Sequence, residues 1–153
     1  MVSGKWTEGE TGMGRKRMVV FVCIHGSAKS VIAAEHLRRL AERQGVEMGV
    51  TSAGTEPDGK IPPHVVKGLL GDGIDIRGSR PRRVTREELT DAWRVVALGC
   101  DLGEMAPPGL TVLRWDDIPA VSEDFKVARD LIVARLPRLL AESAGSCRDS
   151  EGR

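Results

Sequence analysis

Tyrosine is absent from this chain, and there are only two phenylalanines and three tryptophans. A core must therefore be filled by Val, Leu, Ile and Ala, which the hydrophobic share of 41% supplies. No run approaches the ~20 apolar residues that span a bilayer as a helix, so a transmembrane reading is excluded. Charge of one sign is also missing: the net charge is +1. That gives no electrostatic case for nucleic acid or an anionic membrane as partner. Cysteine is scarce too. Three residues, Cys23, Cys100 and Cys147, stand far apart and are odd in number, which excludes a disulfide framework. A reducing cytoplasm is the default compartment. The first residues carry no apolar segment of the secretory kind.

What is present reads as alternating short strands and helices. An apolar run, Met18–Val22, predicts a strand. Val31, Ala34, Leu37, Leu40 and Ala41 recur at helical spacing and predict a helix from about Ser30 to Arg43, ended by Gln44-Gly45. A second strand is expected over Glu47–Ser52. A second helix is expected from Pro62-Pro63, where proline suits the first turn. Thr85-Arg86-Glu87-Glu88 has capping-box spacing and opens a third helix. Trp93–Leu98 and Leu110–Leu113 predict two more strands, and Glu123–Glu142 a last helix capped by Ser122 and kinked or ended at Pro137. Nearly continuous apolar strands alternating with helices imply a small open α/β fold. It has a four-stranded parallel sheet with helices on both faces. The expected organisation is a disordered leader over 1–16, one domain over 17–142, and a disordered tail over 143–153.

The chemistry concentrates in Cys23-Ile24-His25-Gly26-Ser27-Ala28-Lys29-Ser30. A thiol at the end of a buried strand opens a tight loop into a helix start. Backbone N–H groups there point at an anion, and the helix dipole favours a thiolate. Ligands of open α/β sheets bind at the carboxyl ends of the strands. Ser52–Thr55, Cys100 and Trp115–Asp117 all follow strands, so they are expected to gather beside Cys23.

The pattern C-x5-K-S resembles the C-x5-R-[ST] loop of the low-molecular-weight protein tyrosine phosphatases and the arsenate reductases that share their fold. The likeness runs from about Met18 to Leu140. Val50-Thr51-Ser52-Ala53-Gly54-Thr55-Glu56-Pro57 resembles the second-strand motif of that group. Gly73-Ile74-Asp75-Ile76 with Arg80–Thr85, and Val95–Asp101, resemble the arsenate-reductase branch. The resemblance implies Cys23 as nucleophile, Lys29 as the loop cation and Ser30 as donor to the thiolate. The loop residues Ile24, His25, Gly26, Ser27, Ala28 and Lys29 hold the anion. The substrate is then a small oxyanion or a phosphorylated molecule. No metal and no cofactor are implied; a reductase would draw on thioredoxin or a low-molecular-weight thiol.

Three departures from that pattern matter. Lys29 stands where the family has Arg, so a point charge replaces a planar fork. Loss of one positioned donor commonly costs ~3 kcal/mol, about a hundredfold in rate. The family's acid, an Asp after the fourth strand, falls on Asp117 in one alignment, with Asp116 beside it. In another alignment Ala120 takes its place, and Asp117 is preferred because it is nearer the strand end. Cys100 matches the second cysteine of the thioredoxin-linked relay, but 101–107 holds no third, leaving only Cys147 in the tail.

Several other readings stand beside these. Gly26, where family loops often carry Asn, suits a left-handed backbone. His25 reads as a rim residue, His36 and His64 as surface or packing residues, Trp115 as packing for the site loop and Trp93 as core. Arg77, Arg80, Arg82 and Arg83 rim the cleft or lie in solvent. A nucleotide-binding Walker loop is met only at Lys29-Ser30, because Cys23 and Ala28 occupy its glycine places. The rival to an enzyme is a diverged family member that binds an anion or a partner protein, or turns Cys23 to another reaction.

Overall fold

The computed structural model describes the backbone of residues 17–152 and the side chains of residues 17–143; the expected leader lies outside them. Four strands, β1 (Arg17–Cys23), β2 (Met48–Gly54), β3 (Arg94–Ala97) and β4 (Val112–Arg114), form one sheet in the order β2-β1-β3-β4. Every pairing is parallel. The helices are α1 (Lys29–Gln44), α2 (Pro63–Gly71), α3 (Arg86–Asp91) and α4 (Phe125–Gly152).

The period-two alternation of β1 divides the interior. Val19, Phe21 and Cys23 face a core built with Ile32 and Leu37 of α1, Val65 and Leu69 of α2, and Ile132 and Leu136 of α4. Val20 and Val22 face a smaller one with Val84, Leu89 of α3, Cys100 and Leu102. Phe21 is fully buried and stacks at 6.0 Å on Trp115, which holds the segment after β4 against the sheet. Trp93 instead lies half-buried between Arg17 and Arg94, whose guanidiniums stand 5.7 and 4.2 Å from its ring.

The capping box forms at α3: the Glu88 amide donates to Thr85 Oγ1 at 3.2 Å, and the Thr85 amide to Glu88 Oε2 at 2.7 Å. Two helix ends differ from expectation. Asp124, not Ser122, caps α4 by accepting from the Val127 amide at 3.1 Å. Ser122 lines a cavity instead. The backbone of α4 continues through Pro137 to Gly152.

β1 pairs with β2 on one side and β3 on the other, so the chain reverses direction of build between β1 and β3. Above the carboxyl ends of those two strands a crevice must open. Cys23 ends β1 and Gly99 follows β3, which puts both at that crevice.

Candidate active site

The loop after β1 is held in place by its neighbour after β2. The amides of Thr55, Glu56 and Asp58 donate to the carbonyls of Cys23, Ile24 and His25 at 3.1, 2.7 and 3.1 Å. Gly26 takes the left-handed backbone, with φ at 61°. Space requires glycine there too: a Cβ on Gly26 would stand 2.7 Å from the Gly54 nitrogen, and one on Gly54 would stand 2.5 Å from the Gly26 nitrogen. Two glycine backbones therefore interlock at the base of the loop.

Cys23 is buried at the floor of this loop, 6% exposed. The Gly26 amide donates to its sulfur at 3.2 Å, and Ser30 Oγ lies 3.1 Å from it. Ser30 is wholly buried in the first turn of α1 and is not the helix cap; the cap position is Ala28. These are the contacts a sulfur anion would accept.

Cys23 opens onto a cavity of about 300 Å³. Ile24, His25, Ser27, Ala28 and Lys29 line it from the loop, Asp58, Pro62 and His64 from the segment after β2, Leu98 and Gly99 from the end of β3, and Ala120, Val121 and Ser122 from the segment before α4. Lys29 Nζ lies 3.5 Å from where a Cβ on Gly99 would stand. It forms no ion pair among the described residues. A bulky side chain at Gly99 would crowd the cation.

Asp117 is not among the lining residues. Its side chain is 68% exposed and is paired with Arg135 of α4. The hydrogen bond from that guanidinium holds its carboxyl below the usual range. Arg135 also stands 5.5 Å from the Trp115 ring, so Asp117 belongs to a brace between the strand end and α4. Ile118, next in sequence, is buried in the core. The turn then carries Ala120, not a carboxylate, into the cavity. Asp116 pairs with Arg114 and lines a separate open cleft with Cys100 and Asp101.

Cys100 belongs to a different packing cluster from Cys23. It packs with Val20 and Val22 on the opposite face of the sheet, and its thiol points at the Val22 carbonyl at 3.5 Å. Burial, then the nearby Cys23, push it up to about 11, against a smaller opposing effect of Arg114. Cys147 lies outside the residues whose side chains are described.

His25 stands on the rim as expected, 59% exposed, with Nδ1 3.3 Å from Asp58 Oδ1. Ser27 Oγ donates to the other oxygen, Asp58 Oδ2, at 3.0 Å. Asp58 was not singled out from the sequence, where it sits in a turn-rich segment. The signal that could have found it is its place just beyond a strand end. His64, expected as a surface or packing residue, reaches the same cavity. His36 is a packing residue, held to Asp72 at 3.1 Å. Arg82 pairs with Glu88, Arg77 with Asp75, and Arg83 donates to the Thr55 carbonyl, so these three are engaged away from the cavity. No cluster of potential metal ligands occurs among the described residues.

The structure thus places a strand-end thiol, in a tight loop at the switch point of an open parallel sheet, at the floor of a cavity. The sequence model of the family described as low molecular weight phosphotyrosine protein phosphatase matches residues 18–108. The chain belongs to that family. Among its relatives, a putative arsenate reductase of Halobacterium salinarum is 27% identical over 127 residues, covering 80% of this chain and 89% of the relative. A protein-arginine-phosphatase of Bacillus subtilis is 38% identical over 83 residues, covering 52% of this chain and 54% of that protein. The solved thioredoxin-dependent arsenate reductase of Corynebacterium glutamicum matches with a TM-score of 0.70 and 26% identity, over 87% of this chain; the chain spans 64% of that protein's length. The YfkJ protein of Bacillus subtilis shares the fold, with a TM-score of 0.77 at 24% identity, over 88% of this chain and 99% of that one. The family and these relatives support a function of phosphatase or reductase type.

Proposed function

We propose that this protein is an enzyme of the phosphatase type, in which the Cys23 thiolate attacks a phosphoryl group. Loop amides from Ile24 to Lys29 and the Lys29 ammonium would hold its oxygens. The observation that carries this reading is the Cys23 sulfur, at the floor of the cavity, within reach of the Gly26 amide and Ser30 Oγ. A new S–P bond forms as the P–O bond to the leaving group breaks, and water then cleaves the S–P bond and releases phosphate. The substrate is a small anionic or phosphorylated molecule, and the chain would act in a reducing cytoplasm.

Reduction of arsenate through a cysteine relay is less well supported. Cys100 lies across the sheet with its proton held, and 101–107 holds no third cysteine. Reduction would then depend on thioredoxin or a low-molecular-weight thiol arriving at Cys23 from outside. Lys29 and Ala120 favour a second reading, in which the loop binds an anion or partner without turnover, or Cys23 serves another reaction.

The test is release of nitrophenol from para-nitrophenyl phosphate, and arsenate reduction with added thiols, each against Cys23→Ser. Nitrophenol release only with Cys23 present supports the phosphatase. Silence in both assays, with inorganic phosphate still protecting Cys23 from alkylation, establishes the binding reading.

A further inference from the structure

The cavity over Cys23 has no carboxylic acid at the position facing it from the segment before α4, where Ala120 stands. A departing alkoxide or phenoxide still needs a proton. On the opposite rim, His25 and Asp58 both line the cavity, and both are fixed. The carboxylate accepts a hydrogen bond from Ser27 Oγ at 3.0 Å on Oδ2, and its Oδ1 stands 3.3 Å from His25 Nδ1. The Asp58 backbone amide donates to the His25 carbonyl at 3.1 Å, so the two backbones are joined beside the side-chain contact. Asp58 accepts from Ser27 on one oxygen and presents the other to the imidazole, which is the arrangement of an orienting group. The imidazole uses only Nδ1 in this contact, and Nε2 has no hydrogen-bond partner among the described residues.

We propose that His25, oriented by Asp58, is the proton donor to the leaving group, in place of a carboxylic acid from the segment that carries Ala120. This rests on the phosphatase reading. The imidazolium, with Nδ1 facing the Asp58 carboxylate, gives its Nε2 proton to the oxygen that leaves as the P–O bond breaks. The neutral imidazole then takes a proton from the water that attacks the phosphocysteine, which restores the starting state. No group from outside the site is needed. Asp58 is a positioning residue, and Ser27 fixes it. Of the other protic side chains in the cavity, Lys29 is committed to the anion. His64 has no hydrogen-bonded side chain orienting it among the described residues.

The experiment compares leaving groups. Single-turnover release is measured from para-nitrophenyl phosphate, whose phenol leaves with little help, and from phenyl phosphate, whose phenol needs the proton. His25→Gln is expected to slow phenol release at least tenfold more than nitrophenol release, a differential smaller than the roughly 10²–10⁴-fold total that general acid catalysis contributes. Asp58→Asn shifts the ratio in the same direction by a smaller factor and reduces the solvent deuterium isotope effect on phenol release. A merely structural role would move neither ratio nor isotope effect. Phosphate protection of Cys23 from alkylation reports whether the loop is intact in each variant. Equal slowing of the two esters in His25→Gln with the loop intact overturns the proposal. So does a selective loss of phenol release in His64→Gln in its place. If the unaltered protein releases neither phenol above the Cys23→Ser control, the phosphatase reading has itself failed. Turnover with an unmoved ratio removes only the role of His25.

Discussion

Lys29 keeps the charge of the loop but not the shape of its usual occupant. An ammonium is a point charge whose three donors have no fixed plane, whereas a guanidinium meets two oxygens in a rigid fork. If Lys29 alone limits turnover, Lys29→Arg should raise the rate of nitrophenol release by about tenfold to a hundredfold. An unchanged rate would move the defect to the proton donor. Gly54 is as constrained as the loop it touches. Gly54→Ala puts a methyl group 2.5 Å from the Gly26 nitrogen. It should weaken phosphate binding and lower stability by about 1–3 kcal/mol, read from phosphate titration and a urea melt. Cys100 should resist alkylation in the folded protein at pH 8, while Cys23 reacts; peptide mapping after iodoacetamide treatment separates the two. Labelling of Cys100 at the same rate would contradict its packing against Val20 and Val22.

The elements were legible where local chemistry decides them. The Thr85-x-x-Glu88 spacing names both partners of a helix start, and both bonds form. Thr85→Ala should therefore cost about 1 kcal/mol, seen as a lower urea midpoint with an unchanged slope. The apolar stripe of α4 is readable in the same way: of Phe125, Ala128, Leu131, Ile132, Leu136, Leu139 and Leu140, all are buried or half-buried except Leu131, which is exposed. Ile132→Ala should cost about 2–5 kcal/mol. Boundaries were less readable. Pro137 predicts a kink or an end, yet the helix continues; α4 packs along α1, with Leu136 and Leu139 in the core on either side of the proline. The start of α4 was misplaced for a related reason: Ser122 and Asp124 are both good caps in isolation. Which one serves is decided by where the incoming chain turns.

Across the molecule, α1, α2 and α4 meet at Asp72. His36 of α1 lies 3.1 Å from its Oδ2, Arg39 donates to its carbonyl at 2.6 Å, and Arg129 of α4 pairs with its Oδ1. Burial lowers the His36 imidazole from 6.5, partly offset by Asp72 and reinforced by Arg39 and Arg129. The unfolded chain then binds a proton that the folded one resists, so stability should fall as pH drops below about 6.5. Cys100 acts at the other end. Its thiol is raised from 9.0 to about 11, so the unfolded chain loses a proton first and stability should fall as pH climbs through that interval. Urea midpoints across pH 5–11 should show both flanks; Cys100→Ala should flatten the alkaline one and leave the acid one.

The sequence by itself determined the alternating elements, the parallel sheet and the position of the thiol loop. These depend on residue period, capping spacing and strand ends, which are local properties. It left open what surrounds that loop. Asp117 and Ala120 are only three residues apart, and a buried Ile118 between them turns one toward Arg135 and the other into the cavity. Cys100 follows a strand as Cys23 does, yet it packs on the other face of the sheet, a question of side-chain direction after the strand ends. Asp58 joined the site only because two glycine backbones let its segment run against the loop. Those outcomes depend on contacts between segments distant in the chain, and only the tertiary structure decided them.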